Sequence, residues 1–297
     1  MSRNHINHRS PRLESLEPRL LMAAGALDKS FSSDGKATVD IGARVVMTAR
    51  DVAVQSDGKT VIAGIATESG KSEEFVVARL NLDGSPDVTF GPSGTGIVRT
   101  DVSGGRDFAA CVAIQPDGKI VVAGDSAGRF GVVRYLSNGS LDKTFNGDGK
   151  LTIDFDFFGA NDIALQSDGK IVLVGATLSG AVDFAVARLN ENGLLDGSFD
   201  GDGKKVIGFG SRDVAEAVTI DGAGNIIVAG RSGEFGAVRI AITRLKSNGA
   251  KDGTFGDSGI VLTSFPGQAD AVASDIILQS GGKIVVVGET GDESSKL

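Results

Sequence analysis

The sequence predicts an all-β fold, a β-propeller-like array of four-stranded antiparallel blades. One sequence motif, which reads VAVQSDGKTVIAG at residues 52–64, recurs five times. In each copy two runs rich in Val and Ile flank a polar turn, and no window of 11 or more residues keeps helical spacing. The central glycines of the copies are Gly58, Gly118, Gly169, Gly224 and Gly282. The intervals of 60, 51, 55 and 58 residues are in the range of a propeller or another repeat array.

The first two strands of each unit form a predicted β-hairpin, represented by Asp51–Gln55 and Lys59–Gly64. We expect a two-residue type I′ turn, in which both central residues have positive φ. The dipeptides that suit this turn are Asp57-Gly58, Asp117-Gly118 and Asp168-Gly169, with weaker versions at Gly224-Asn225 and Gly281-Gly282. The closing glycine, such as Gly64, would end the second strand or permit a close backbone approach.

A third strand follows, and Phe75–Leu80 is its first copy. A polar loop with a Leu-Asp-x-x-Phe pattern comes next, and Gly96–Val102 is then predicted as the fourth strand. Four antiparallel strands per unit are typical of a propeller blade. A parallel β-helix ranks second, because its coils take only roughly 20 to 25 residues, less than half the interval between these repeats.

Four such units fit between about residues 51 and 265, and a fifth hairpin follows at 275–289 without its third strand. A lone strand of the fourth type is predicted at 35–41. This strand could complete the last blade and join the two ends of the array. The alternative is an open arc, which would expose strand edges and favour association.

The phrases Q-x-DGKIVVAG, F-x-V-x-R-L and L-D-x-x-F resemble the delta-60 repeat family over about residues 25–290. The family occurs mainly in large bacterial proteins, many of them exported. The resemblance implies a propeller-like array and no known activity. The fourth copy departs from the pattern at Asp221-Gly222-Ala223-Gly224-Asn225, and the fifth stops before its third strand.

Residues 1–24 differ from the rest, because they are basic and contain both histidines, His5 and His8. The segment Leu16–Ala24 is similar to the LEPR-x-L-L motif of large exported bacterial proteins. We therefore expect a sorting or processing segment, disordered and separate from a repeat domain at 25–297. A plain basic tail is the alternative. The expected location is extracellular or at the cell surface, and no run reaches the 18 apolar residues of a membrane span.

The net charge of −8 argues against nucleic acid as a partner, because phosphate binding needs a basic surface. Other proteins or cell-surface components are the expected partners. Cys111 is the one cysteine, so an intramolecular disulfide is excluded and a small buried apolar side chain is expected.

No catalytic, cofactor or metal residue is predicted, because the repeats contain no histidine for a nucleophilic triad or an ordinary zinc site. We expect a non-catalytic scaffold or protein-interaction module. A propeller-type enzyme or carbohydrate-binding protein is the alternative, although a chain with no Trp and one Tyr offers few stacking platforms.

Weak calcium binding is conceivable in three Gly/Asp-rich turns, Ser33–Gly35, Asn146–Gly149 and Asp200–Gly203. An EF-hand loop needs oxygen ligands at positions 1, 3 and 5 and a glutamate at position 12. Counted from Asp200, position 5 is Lys204 and position 12 is Ser211. The pattern fails, and a turn role explains these residues better.

An arginine recurs in each apolar third strand, and an aspartate follows it by eight residues. A buried arginine needs a partner, so we expect a structural ion pair in each repeat. The pairs are Arg79 with Asp87, Arg134 with Asp142, Arg188 with Asp196, and Arg244 with Asp252. A ring of arginines that binds an anion is the alternative. The loop phenylalanines are expected to pack between blades, and they are Phe31, Phe90, Phe145, Phe199 and Phe255.

Overall fold

The structure, a computed structural model, describes residues 27–40 and 45–291. These residues form 18 β-strands and no helix. The first sheet has the strand order β1-β2-β3-β4. Its strands are β1 (Val45–Val54), β2 (Thr60–Glu68), β3 (Glu74–Leu80) and β4 (Ile97–Thr100).

Three further antiparallel sheets repeat this order, and a two-stranded sheet follows them. The second sheet contains β5 (Asp107–Ile114), β6 (Ile120–Ser126), β7 (Arg129–Tyr135) and β8 (Lys150–Ile153). The third contains β9 (Ala160–Leu165), β10 (Ile171–Thr177), β11 (Asp183–Leu189) and β12 (Lys204–Ile207). The fourth contains β13 (Asp213–Ile220), β14 (Ile226–Ser232), β15 (Arg239–Leu245) and β16 (Ile260–Thr263), and the last contains β17 (Asp270–Leu278) and β18 (Ile284–Gly291).

The predicted fold class, an all-β propeller-like array of four full repeats and an incomplete fifth, is confirmed. The first strands begin earlier than predicted, because pairing continues beyond an irregularity in the ladder. The lone strand expected at 35–41 is not formed by residues 35–40, which belong to none of the 18 strands.

The predicted N-terminal segment, residues 1–24, lies outside the described residues. Within the part of the chain that the structure describes, no helix is long and apolar enough to cross a bilayer.

The predicted type I′ turn is wrong. Gly58 has a φ of +83°, but Asp57 is not among the described residues with positive φ. The amide of Gly58 donates to the carbonyl of Gln55, and the amide of Gln55 donates to the carbonyl of Lys59. This arrangement is typical of a three-residue loop, in which a type I turn ends at a left-handed glycine. The Asp57 carboxylate accepts the amide of Lys59, so it fixes the loop without a positive φ of its own.

A β-bulge interrupts the pairing of the first two strands in every repeat. The glycine of the second strand faces this bulge. A Cβ at Gly64 or Gly124 would fall on a carbonyl oxygen of the first strand, that of Thr48 or Phe108. These glycines therefore permit a close backbone approach, one of the two expected roles, and the second strand continues past them.

The hydrophobic core is divided among the contacts between consecutive sheets. One cluster joins the first and second sheets, another the second and third, another the third and fourth, and another the fourth and fifth. Stability is thus distributed along the array, as in other repeat proteins. Among the described residues no core cluster joins the first sheet to the last.

Candidate functional site

The recurring arginine of the third strand forms a buried ion pair with the aspartate eight residues later. Nε of Arg188 lies 2.8 Å from Oδ2 of Asp196, and its guanidinium carbon lies 4.8 Å from the centre of the Phe199 ring. The predicted structural pair is confirmed in the four full repeats, as Arg79–Asp87, Arg134–Asp142, Arg188–Asp196 and Arg244–Asp252. Because a carboxylate engages each guanidinium, the arrangement disfavours a ring of arginines that binds an anion.

Three of these arginines also bind the following repeat. In each, Nη1 donates to a backbone carbonyl in the loop that follows the next repeat's third strand. The pairs are Arg79 with Ser137, Arg134 with Glu191, and Arg188 with Ser247. Such charge-assisted bonds are stronger than neutral ones. One guanidinium group therefore holds its own loop and the neighbouring repeat at the same time.

The loop phenylalanine lies under a turn of the next repeat. A Cβ at Gly193 would lie 2.7 Å from the Phe145 ring, and Gly193 has a φ of +83°. A backbone hydrogen bond of 2.8 Å from Asn146 to the carbonyl of Asn192 joins the same two loops. The expected packing between repeats is confirmed for four rings, which contact Gly84, Gly139, Gly193 and Gly249. Phe255 instead contacts Arg244 of its own repeat.

The paired aspartates are held in their charged form. Burial alone would raise the pKa of Asp87, but hydrogen bonds from Lys59 and Thr89 and the charge of Arg79 bring it well below its usual range. The pKa of Asp196 is also lowered, because hydrogen bonds from Ser198 and the charge of Arg188 outweigh the effect of burial. Since these folded-state pKa values lie below the unfolded ones, the pairs stabilise the fold at neutral pH, and this contribution is lost as the pH falls.

A second set of carboxylates lies beside the bulges of the first strands. Asp51 accepts a hydrogen bond of 2.8 Å from the amide of Val112, and Asp162 accepts one of 2.7 Å from the amide of Val218. Burial raises the pKa of Asp162 to about 6, and the charges of Asp275 and Asp51 contribute to the rise. Our sequence analysis missed this contact. The sequence signal that could have revealed it is an aspartate at the same position of the first, third and fifth repeats.

The neighbouring titratable groups are also buried. Burial raises the pKa of the Cys111 thiol well above its usual value, so the thiol is an inert apolar side chain, as predicted. Burial raises the pKa of Glu216 too, although Arg231 opposes this at 3.7 Å. Among the described residues, no three His, Cys, Asp or Glu side chains are grouped so that they could hold a metal ion. Both histidines lie outside that part of the chain.

The Gly/Asp-rich turns use their carboxylates locally. Asp202 accepts the amide of Lys204 at 2.9 Å, and Asp148 accepts the amide of Lys150 at the same distance. Oδ1 of Asp200 lies 2.8 Å from the Lys205 ammonium group. These contacts account for the turn role, and weak calcium binding stays a prediction.

A cavity of about 540 Å³ lies between the loops of the second and third repeats. Its lining includes Arg134, Gln115 and Gln166. The side-chain amide oxygens of both glutamines are buried without a hydrogen-bond partner among the described residues. In the first repeat the equivalent oxygen, that of Gln55, lies 3.4 Å from Nη1 of Arg79. The lining of this cavity therefore includes two glutamines whose amide oxygens are buried and have no hydrogen-bond partner among the described residues.

The two terminal sheets expose apolar side chains that are buried in the repeats between them. Val52 of β1 is 58% exposed, whereas its counterparts are 5–8% exposed, and they are Val112, Ile163, Val218 and Ile276. Val287 of β18 is 57% exposed, whereas Val174 at the same position of the third repeat is fully buried. Each end of the array is thus half of an interface of the kind that joins the inner repeats.

Comparison with protein families identifies four matching segments of this chain. The family is described as "Domain of unknown function (DUF5122) beta-propeller", and the segments are residues 55–90, 115–145, 166–199 and 224–255. Each segment runs from the hairpin turn through the third strand to the loop phenylalanine or close to it. A comparison with curated proteins finds no match.

Solved structures with similar backbones include virginiamycin B lyase from Staphylococcus aureus, at 15% identity and a TM-score of 0.46, over 82% of this chain and 73% of that one. The NanB sialidase from Streptococcus pneumoniae has 11% identity and a TM-score of 0.49, over 91% and 41% of the two chains. An endo-1,4-beta-xylanase from Bacteroides thetaiotaomicron has 10% identity and a TM-score of 0.44, over 82% and 96%. At these identities the likeness concerns the fold alone.

We expect Arg188→Leu to lower the free energy of unfolding by about 3–5 kcal/mol, because it leaves the buried Asp196 carboxylate without its cation. Arg244→Leu is the matched control. Its pair is more exposed, and no carbonyl of a following repeat binds it among the described residues, so we expect a clearly smaller loss than for Arg188→Leu. Urea denaturation followed by circular dichroism measures both losses. Equal losses would contradict the inter-repeat role of Arg188.

We expect Gly193→Ala to destabilise the protein more than Gly180→Ala. Both glycines have positive φ, so both substitutions carry a backbone cost of about 1–2 kcal/mol. Only at Gly193 would the new Cβ meet the Phe145 ring, whereas nothing lies within 4 Å at Gly180. The free energy of unfolding of Gly193→Ala should be lower than that of Gly180→Ala by about 1–3 kcal/mol, as measured by urea denaturation. A difference near zero would show that the ring does not press on this turn.

Asp162 should make stability fall as the pH rises from about 4 to about 6. Its pKa is raised from 3.8 to about 6, so the folded state binds more protons than the unfolded state in this window. Asp162→Asn removes the titration. The stability of the variant relative to the natural protein should therefore increase with pH, by at most about 3 kcal/mol. Denaturation curves at pH 4 to 7 measure this change, and a constant gap would refute the assignment.

Proposed function

We propose that this chain is a non-catalytic, exported repeat protein that serves as a scaffold or protein-interaction module at or outside the cell surface. The observation that carries the proposal is the exposed apolar surface at the two ends of the array. Val46, Val52 and Val54 are exposed on β1, and Ile277 and Val287 are exposed on the last hairpin. Val52 and Val54 alternate along β1 and so share one face of the sheet, and a group of exposed apolar side chains is typical of surfaces that bind other proteins.

The use of the charged side chains inside the repeats supports this proposal. Three of the third-strand arginines, each paired with a loop aspartate, bind a carbonyl of the next repeat, and Asp51 and Asp162 bind backbone amides of neighbouring repeats. These groups are therefore engaged in building the array. The copies also remain regular, whereas a reaction site is expected to alter one or two loops.

The expected location rests on the N-terminal resemblance to a sorting motif and on the export of many proteins with similar repeats. The acidic chain, with a net charge of −8, supports solubility and disfavours nucleic acid as a partner. Other proteins or cell-surface components remain the proposed partners.

A propeller-type enzyme or carbohydrate-binding protein is the second candidate, and the cavity between the second and third repeats favours it. Its volume of about 540 Å³ suits a small ligand, and its lining includes polar side chains, among them Gln115 and Gln166, that could form hydrogen bonds with hydroxyl groups. Binding of a glycan that is lost in Gln115→Ala and Gln166→Ala variants would favour this candidate.

Three measurements test the proposed function. Cell fractionation with N-terminal sequencing should place the protein outside the cytoplasm and show whether residues 1–24 are removed. A glycan array and a panel of hydrolase substrates should give neither binding nor turnover. A photo-reactive residue at position 52 should crosslink to a protein in intact cells, while the same residue at Val206, an exposed valine on β12, should not.

Each result can count against a distinct part of the proposal. A cytoplasmic protein would refute export, and turnover on any substrate would refute the non-catalytic role. Equal crosslinking at positions 52 and 206 would remove the end of the array as the interaction surface.

A further inference from the structure

One inner loop differs in sequence from its counterparts in the other repeats. The loops that join the fourth strand of a repeat to the next repeat read DVSGGR at 101–106, GFGSR at 208–212 and SFPGQA at 264–269. The loop at 154–159 instead reads DFDFFG. It joins the second repeat to the third, so it lies away from both terminal sheets.

Phe157 occupies a position of this loop at which the backbone has a positive φ. It is the fourth residue after the fourth strand, and the equivalent residues Gly104 and Gly267 have φ values of +81° and +78°. Phe157 has a φ of +94°, which bulky residues rarely adopt and which glycine adopts without steric cost. The ring is thus kept against a conformational penalty, and such penalties are concentrated at functional positions.

The loop holds the Phe157 ring in solvent on a fixed backbone. The amide of Phe157 donates to the carbonyl of Gly128 at 3.1 Å, and the amide of Leu178 donates to the carbonyl of Asp156 at the same distance. Phe157 is 75% exposed, and Phe158 contacts it edge to face with the ring centres 6.5 Å apart. Contacts on both sides of the loop therefore pre-organise an exposed aromatic ring.

A strongly acidic cavity of about 450 Å³ adjoins this loop, and its charged lining residues are Asp154, Asp156, Asp200, Asp202 and Lys204. The Asp156 carboxylate has no hydrogen bond or ion pair within the described part of the chain. Oδ2 of Asp154 lies 3.7 Å from Nε of Arg129, which is too long for a hydrogen bond. The loop and the cavity therefore offer carboxylates to a further cation.

The repeats themselves show which side chain an aspartate and a phenylalanine ring bind together. Arg188 pairs with Asp196 at 2.8 Å and lies over the Phe199 ring at 4.8 Å, and the other full repeats repeat this arrangement. The loop at 154–159 places the same two kinds of group on the surface. Among the described residues no cation lies over the Phe157 ring. An arginine suits such a site better than a lysine, because its planar group stacks on rings and pairs with carboxylates.

We propose that the loop at 154–159 and the acidic cavity beside it bind an arginine in a basic segment of a partner protein. The guanidinium group stacks on Phe157 and pairs with the carboxylates of Asp154 and Asp156. This inference rests on the proposed function and deepens it, because it names the chemistry of the partner. A second copy of this chain is disfavoured as the occupant, since the chain has a net charge of −8 and two acidic surfaces repel each other.

Labelled peptides test the proposal on the full chain. A short Gly/Ser peptide with three arginines should bind saturably in fluorescence anisotropy, with a Kd of about 1 mM or tighter. The same peptide with citrulline, which is planar and uncharged, should not bind, and the version with lysine should bind more weakly. Absence of binding by the arginine peptide would overturn the proposal. Binding of the citrulline or the lysine peptide that is as tight as that of the arginine peptide would do the same.

Variants locate the binding. Phe157→Gly should weaken it at least about fivefold, because the stacked ring is lost, and should not lower the melting temperature, because glycine suits this φ. Asp156→Asn should weaken binding at least about twofold. The matched controls are Phe265→Ala, an exposed ring in the uncharged loop at 264–269, and Asp257→Asn, an exposed aspartate of the fourth repeat. Both should leave binding unchanged.

Two outcomes of these measurements would contradict the assignment. A clear fall in the melting temperature of Phe157→Gly would give the ring a structural role instead. Equal effects of the controls and the loop variants would show that the peptide is attracted by the acidic surface as a whole.

The remaining occupants belong to this chain. A full-length variant in which Arg3, Arg9, Arg12 and Arg19 are changed to glutamine should bind the arginine peptide like the natural protein. Much tighter binding would show that the chain's own N-terminal segment occupies the loop, and concentration-dependent dimers that Phe157→Gly abolishes would indicate a second copy. Either result would overturn the partner proposal. If the arginine peptide does not bind while the crosslinks at position 52 persist, the loop proposal fails and the interaction module stands.

Discussion

The array depends on a buried positive charge that two neighbouring repeats neutralise together. Each third-strand arginine pairs with an aspartate of its own repeat, and three of them also donate to a backbone carbonyl of the next one. A buried guanidinium without partners is costly, so a displaced neighbour would leave a charged donor unsatisfied. The ring that lies on the guanidinium also packs on the next repeat's turn. Between the first four repeats, these polar contacts therefore act together with the apolar clusters, whereas the fourth and fifth sheets are joined by an apolar cluster without the arginine–carbonyl bond among the described residues.

Local patterns made much of this fold predictable. The hairpins follow from turn residues between β-branched runs, and the Arg–Asp pairs follow from the cost of burying a charge. The turn type was wrong because Asp-Gly suits both a two-residue and a three-residue loop, and the bond between Gly58 and Gln55 decides between them. The carbonyl partner of Arg188 could not be predicted, since it depends on the spacing of sheets. Asp162 was missed because an aspartate at the start of a strand resembles an ordinary surface residue.

The same apolar sequence positions are buried in the inner repeats and exposed in the terminal ones. In the inner repeats, apolar positions of the first two strands are covered on both faces. At the ends, Val52 and Val287 face solvent although nothing in the hairpin pattern distinguishes them. If the proposed function holds, the interaction surfaces of this protein need no specialised residues, because apolar positions that neighbouring repeats cover inside the array are exposed on its terminal sheets.

The aspartates beside the β-bulges recur in every second repeat, so at this position the array has a period of two repeats. Asp51, Asp162 and Asp275 occupy alternate repeats, with Cys111 and Ala217 at the same place between them. Two of these carboxylates reach forward to an amide of the repeat that lacks one. Inserting a single copy of an aspartate-bearing repeat would set two acids side by side in a poorly solvated strand layer, while inserting a pair of consecutive repeats would preserve the alternation. Gene duplication within such a chain should thus succeed most readily in even steps.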